Sequence, residues 1–385
     1  MKTEIRLALR AVLIARTAAN GGLRVVYPFL PAIARGLGVS IPALSSVIAL
    51  RNLGGLVTPL TARAAEIIGR RKLMIAAMGA IVAGCLLTAS STALIVAGTG
   101  ILVVGIAVPA FGVAMQAWFG DRVPYEERGR VLGITEFTWS LALIVTVPLS
   151  GFLIVLTNWR APFVLIALLS TVGLFAIISG LESDTPSRRA PRPLRLNTPR
   201  ALVLACAFLF SAAAEIPFIV YGQWLEGSFG LTVAGIGIYT LVIVVAEVVG
   251  EGLVVVVADR VGLKRMILGG LGVSAIAYAS LGITGSSLIL ATVVVTIWIA
   301  AFEVTVVATI PFVSELAVES RDRLLSLLTV CIALGRALGA IVAQPIYASG
   351  GITRVGVVSA ICALLAAMMI VRIAEPATEA GLQPT

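Results

Sequence analysis

The chain has 385 residues, 59% of them hydrophobic and only 12% charged, with a mean hydropathy of +1.08. A soluble fold of this length cannot bury so much apolar surface, because burial rises only slowly with size. The formal net charge of +9 sits in short basic clusters between apolar runs, an orientation pattern of membrane proteins rather than a nucleic-acid footprint.

The chain starts with Lys2, Arg6 and Arg10, then an apolar stretch interrupted by Arg16, Asn20 and Arg24. No small-residue cleavage site follows, so a retained first helix is expected rather than a removed leader. A helix needs about 20 apolar residues to cross the hydrocarbon core. Twelve such segments can be laid down, centred near Leu23, Leu53, Ile81, Gly105, Leu143, Val172, Ser211, Val245, Ala275, Ile299, Ala337 and Leu364. Between the sixth and seventh, Pro186, Arg188, Arg189, Pro191, Arg192, Pro193, Arg195 and Pro199 form a charged, Pro-rich linker. The expected organisation is an amino-terminal six-helix bundle (1–181), a cytoplasmic linker (182–199), a carboxy-terminal six-helix bundle (200–374) and a cytoplasmic tail (375–385). With both termini inside, only Arg35, Arg160 and Arg354 fall in outside segments, and nearly every other loop arginine or lysine is cytoplasmic. Arginine far outnumbers lysine, which fits a GC-rich prokaryotic genome, so the expected location is the cytoplasmic membrane of a prokaryote.

The two halves repeat one another. Glu66-x-x-Gly69-Arg70-Arg71 follows the second segment, and Asp259-Arg260-x-Gly262-x-Lys264-Arg265 follows the eighth; Glu66 and Asp259 are 193 residues apart. Arg128 and Arg321, in the loops after the fourth and tenth segments, are again 193 apart. One offset for two loop pairs indicates a duplicated six-helix unit, the plan of many secondary transporters.

These loops resemble those of the major facilitator superfamily. Asp121-x-x-Pro124-x-x-x-Arg128-Gly129-Arg130, Tyr27-x-x-x-Pro31 and Trp159-Arg160-x-x-Phe163 are similar to three further motifs of that family, in register with the topology. The first loop copy departs from the pattern in having Glu66 for aspartate and Ala62 for glycine, and the helix-five antiporter motif survives only as Val147-Pro148-Leu149-Ser150-Gly151. The resemblance implies an all-α integral membrane fold of twelve transmembrane helices in two pseudo-symmetric six-helix bundles. It also implies a cytoplasmic latch formed by Glu66, Gly69, Arg70, Arg71, Asp121, Arg128, Asp259, Arg260, Gly262 and Arg265. The alternative is that these charges only orient the chain.

Ionisable groups inside spans cost about 2.5–3.5 kcal/mol each on insertion scales and usually face a cavity or a partner. Here they are Arg16, Arg24, Arg51, Glu136, Glu215, Glu247, Glu251, Glu303 and Arg336. The resemblance places helices three, six, nine and twelve against lipid, and segments 73–92, 161–181, 266–286 and 355–371 carry no charge. The expected solute cavity comprises Asn20, Arg24, Arg51, Glu215, Glu303 and Arg336. Proton coupling is expected at Glu247, Glu251 and Glu303, since carboxylates one turn apart in low dielectric resist ionising together and no His is present. Competing readings are structural ion pairs (Arg336 with Glu247 or Glu303, Arg24 with Glu215), direct contact with a cationic solute, and an Arg16 that merely snorkels. A basic wall facing an acidic wall would be the simplest arrangement. Pro28, Pro31, Pro109, Pro148, Pro217, Pro311 and Pro345 permit bending, and Gly335 with Gly339 marks close helix packing.

The absence of GxxxxGK[ST] excludes a Walker-type ATP-driven pump. Cys85, Cys206, Cys331 and Cys362 lie singly in apolar runs and give neither a disulfide pattern nor, without His, a metal site. No enzyme, cofactor, metal or nucleic-acid partner is expected. The reading is a monomeric secondary transporter in the lipid bilayer, moving a small solute by alternating access with H+ as coupling ion in efflux. Two alternatives stay open: proton-coupled uptake of a sugar or organic ion, and a non-transporting sensor or lipid-handling protein on the same fold.

Overall fold

The structure is a computed structural model that describes residues 3–182, 196–317 and 320–373. The linker's prolines and arginines up to Arg195, and the 375–385 tail, lie outside the described residues. In lipid every backbone polar group must be bonded within the chain, and continuous apolar segments meet that demand as helices. The first half comprises α1 (Thr3–Arg24), α2 (Leu30–Leu37), α3 (Ile41–Asn52), a 3-10 turn (Leu53–Val57), α4 (Thr58–Ile68), α5 (Arg70–Ser90), α6 (Leu94–Arg122), α7 (Tyr125–Glu136), α8 (Thr138–Leu156) and α9 (Ala161–Gly180). The second comprises α10 (Thr198–Phe229), α11 (Val233–Val261), α12 (Leu263–Ser280), α13 (Leu288–Leu316) and α14 (Arg321–Val371).

Side-chain caps start several helices. Ser40, Asn197, Thr232 and Ser287 accept from the backbone N–H three residues on, at 3.1–3.3 Å. Gly69 (φ 94, ψ 148) and Gly262 (φ 88, ψ 143) end α4 and α11 in a conformation that an L side chain rarely adopts. These are the glycines of the two loop copies, 193 residues apart, so the sequence repeat is also a backbone repeat.

Ten segments among the described residues are long and apolar enough to cross a membrane. The reading of twelve departs from this tally at two places, each with a physical reason. α14 contains non-helical φ/ψ at Gly350 and Gly351 and is two helices joined at a kink. α1 carries Glu4, Arg6, Arg10, Arg16 and Arg24 and is too charged to count by composition.

Within the first half α1 packs on α8 and α9, and α5 on α6 and α9; within the second, α10 packs on α14, and α12 on α13 and α14. Gly335 and Gly339 bring α14 onto α10: a Cβ on Gly335 would collide with the Phe208 carbonyl, and one on Gly339 would lie 2.8 Å from Glu215 Cβ. The halves meet through α8 against α11, α3 and the 3-10 turn against α14, and the Pro28–Leu37 region against α10. Outward, α9 and α12 present the exposed side chains of Leu168, Val172, Phe175 and Ile276.

Candidate functional site

The first span is broken between Arg24 and Leu30, where Pro28 has no N–H to continue the helix. The break places Tyr27 between the halves and leaves the Leu23 carbonyl available to accept from Arg51 Nη1 at 3.0 Å. Arg51 and Asn52 end α3, Glu215 sits mid-way along α10, and Arg336 lies on α14 one residue past Gly335.

These residues form a knot. The Tyr27 hydroxyl donates to Glu215 Oε1 (2.8 Å) and accepts from Arg51 Nη2 (2.7 Å) and Arg336 Nη2 (2.8 Å). Arg336 Nε donates to Glu215 Oε2 (2.9 Å), and Asn52 Nδ2 donates to Glu215 Oε1 (2.7 Å). Arg51 Nη2 also donates to Asn52 Oδ1 (3.1 Å). Both guanidiniums lie over the Tyr27 ring, 4.8 and 5.9 Å from its centroid. Glu215, Arg51 and Tyr27 are buried. Because Tyr27 and Asn52 come from the first half and Glu215 and Arg336 from the second, the knot bonds the halves together. It contains two guanidiniums and one carboxylate, hence one unneutralised positive charge.

A second cluster surrounds Arg24. Its Nη1 donates to Glu247 Oε1 at 2.8 Å, again across the halves, and its guanidinium lies 5.1 Å from the Trp139 ring centroid. Glu251 is one turn further along α11, within electrostatic reach of Glu247, Glu136 and Arg24. Glu303 on α13 packs against α11 at Gly250, where an added Cβ would lie 2.8 Å from its own Cβ. It is within electrostatic reach of Glu247, Glu251, Arg24 and Arg336. Neither Glu251 nor Glu303 has a hydrogen-bond or ion-pair partner among the described residues. Three carboxylates of the second half thus surround one arginine of the first.

The third cluster belongs to the first half alone. Arg16 grips Glu136 with two bonds of 2.9 and 3.0 Å, and Asn20 Nδ2 donates to Thr138 Oγ1 at 3.1 Å.

The ion pairs weighed from sequence as alternatives take other partners. Arg336 bonds Glu215, not Glu247 or Glu303, because Gly335 and Gly339 dock α14 on α10. Arg24 bonds Glu247 rather than Glu215, which the knot already occupies. Arg16 does not snorkel but is paired and buried. A basic wall facing an acidic one describes only the Arg24 cluster. Asn20 and Arg24, expected in one cavity group with Arg51, Glu215 and Arg336, bond elsewhere.

The loop motifs are used unequally. Arg70 pairs with Asp121, tying the start of α5 to the end of α6, and Arg71 Nη2 donates to the Ile178 carbonyl at 2.6 Å. Glu66, Asp259, Arg260 and Arg265 make no such bond among the described residues, while Lys264 Nζ donates to the Ile373 carbonyl at 2.6 Å. The Arg128 side chain lies outside the described residues. A groove of about 490 Å³ at the ends of α5, α8 and α9, lined by Leu153, Arg160 and Val164, shares no residue with these clusters.

Tyr27, Asn52, Thr138 and Trp139 were not among the site residues expected from sequence. Tyr27 carried a signal, since a tyrosine before Pro28 and three residues after Arg24 sits where a span must break. Asn52, a lone amide beside Arg51, carried another. Nothing local marks Thr138 or Trp139.

Comparison with known proteins agrees with this architecture. A family model described as Major Facilitator Superfamily matches residues 12–203 and 203–384. The uncharacterized MFS-type transporter YwfA of Bacillus subtilis is 25% identical over 364 residues, 90% of this chain and 87% of that protein. The purine ribonucleoside efflux pump NepI of Escherichia coli O127:H6 is 26% identical over 252 residues, 64% of this chain and 63% of the relative. Among solved structures, the nucleoside transporter NupG superposes with a TM-score of 0.77 at 15% identity, covering 95% of this chain and 98% of that one; this likeness concerns the fold.

Proposed function

The chain belongs to the major facilitator superfamily, and from that premise we propose that it exports a small organic solute across the cytoplasmic membrane in exchange for protons. Two six-helix units, residues 1–181 and 200–374, alternate in exposing the central charges to either side, with both termini cytoplasmic and one chain sufficient. The arginine distribution supports that orientation. The name of NepI supports efflux and makes purine ribonucleosides the first solutes to try.

The observation that carries the coupling reading is the imbalance around Arg24. Among the described residues Glu251 and Glu303 have no basic partner bonded to them, and an ionised carboxylate inside a membrane protein is costly unless paired. Such groups take up a proton readily and release it when a cation or water arrives. Glu247 adds the link to motion: a proton on Glu247 weakens its bond to Arg24, which crosses the halves. Proton occupancy and separation of the halves then become one equilibrium. Each proton moving down the potential contributes about 2.3 kcal/mol per 100 mV.

The test is solute flux in proteoliposomes with and without an imposed pH gradient. The wild-type protein should respond to the gradient. Glu303→Gln and Glu251→Gln should each lose at least about 90% of that response, measured relative to each variant's own solute exchange without a gradient, a tenfold loss being about 1.4 kcal/mol of driving interaction. Normal pH dependence in both variants would sink the coupling assignment. A solute that binds yet never crosses would favour a sensor.

A further inference from the structure

Of the nine ionisable groups within the spans, six are tied in three ion pairs: Arg16 with Glu136, Arg24 with Glu247 and Arg336 with Glu215. Arg51, Glu251 and Glu303 are left over. The remainder is separated in space. Positive charge is concentrated in the knot, and negative charge lies on α11 and α13.

We propose that the chain binds a zwitterionic solute between its halves, its acidic group at Arg336 and its protonated amine at Glu303 and Glu251. This rests on the transport reading above and adds the solute's chemical class. Three observations support it. The Arg336 side chain is 42% exposed although it sits mid-way along its helix at the junction of the halves. An arginine so placed and so accessible lines a space that water or solute can reach. Its knot bonds use Nε and Nη2, leaving Nη1 to donate to a ligand. Behind it, Arg51 is only 3% exposed and its Nε has no partner, so the knot's surplus charge reinforces the same subsite.

On the other side Glu303 faces Glu247 and Glu251 of α11, Arg24 of α1 and Arg336 of α14, yet no arginine closes on it. Arg336 acts on Glu303 electrostatically without bonding to it. A solute with separated charges would reach both groups and satisfy each by charge-assisted hydrogen bonds. A purine ribonucleoside, being uncharged, would leave both ends unneutralised. Binding of the ammonium to Glu303 requires its carboxylate form, so a proton held there leaves to bulk solvent as the solute arrives, which is the exchange that antiport needs.

The test uses the purified full-length protein in detergent and measures affinity by ligand-induced thermal stabilisation. The probes are the ω-amino acids from glycine to 6-aminohexanoate and 4-(aminomethyl)benzoate, the alkylamine and carboxylate matching each in length, and a purine ribonucleoside. One length of zwitterion is expected to bind at least tenfold more tightly than either singly charged counterpart. Its binding should release protons to a weakly buffered medium. Glu303→Gln should reduce it to the affinity of the carboxylate, and Arg336→Gln to that of the amine. Glu303 lies outside every ion pair, so its variant keeps the test valid should Arg336→Gln fail to fold.

The proposal is overturned if amine and zwitterion bind equally at every length, if no zwitterion exceeds its counterparts, or if the ribonucleoside binds more tightly than all of them. Any of these with a Glu303-dependent response to a pH gradient leaves the transport reading standing. Tight zwitterion binding with no gradient-driven flux instead removes the coupling reading and keeps the site.

Discussion

Two clusters, separated by only two residues of chain between Arg24 and Tyr27, are built in opposite ways. In the knot, Tyr27, Asn52, Arg51, Glu215 and Arg336 are joined by seven hydrogen bonds if the one to the Leu23 carbonyl is included. Around Arg24, Glu247 takes the bond to the arginine, while Glu251 and Glu303 remain without a partner among the described residues. The first arrangement resists separation, since parting the halves would strand buried charges. The second is unevenly matched, with three carboxylates near one arginine that bonds only Glu247. Under the proposed mechanism the knot sets how firmly the halves are held, and the Arg24 cluster supplies the groups on which protons and solute act.

The comparison can be broken by substitution, and stability is its most direct measure. Glu215→Gln strands two guanidiniums, and loss of one member of a buried ion pair costs about 3–5 kcal/mol; thermal melting in detergent should show the largest drop of the series. Tyr27→Phe removes one donor and an acceptor shared by Arg51 and Arg336, leaving buried groups unsatisfied at about 1–3 kcal/mol. A double-mutant cycle between Arg24→Gln and Glu247→Gln should report a coupling of about 1–3 kcal/mol, with the Arg24 single variant also losing gradient-driven flux. Glu136→Gln should cost less than about 1 kcal/mol, because the Glu136 side chain is 46% exposed and water screens its pair with Arg16. Glu303→Gln should cost nothing measurable or raise the melting temperature, since it removes an unpaired carboxylate. A Glu303→Gln protein that melts as early as Glu215→Gln would show that Glu303 is structurally paired, and the contrast between the clusters would fail.

Much of this was legible in the chain. The linker between the bundles, the charge-free segments and the duplicated loops could be read directly, Pro28 only as one of seven prolines that permit bending, and the structure adds that Gly69 and Gly262 share one backbone conformation. The list of buried charges was also complete, because a charged residue inside an apolar run is conspicuous. Their partners were not legible. Arg336 and Glu215 are 121 residues apart and Arg24 and Glu247 are 223 apart, and no local pattern distinguishes Glu215 from Glu247 as a partner for either arginine. Tyr27 was read only as part of a helix-end motif, because its role depends on two guanidiniums converging on one hydroxyl from different helices.

Taken alone, the sequence determined that the chain enters a membrane, where its helices run, which loops are basic and which side chains must find polar company. Those properties follow from transfer energies that accumulate residue by residue along a segment, so they survive being written in one dimension. Which arginine meets which carboxylate, and which carboxylates are left over, was decided by the docking of α14 on α10, of α11 on α13 and of one half on the other. An ion pair depends on an approach of about 3 Å between residues far apart in the chain, and only packed helices fix distances of that size.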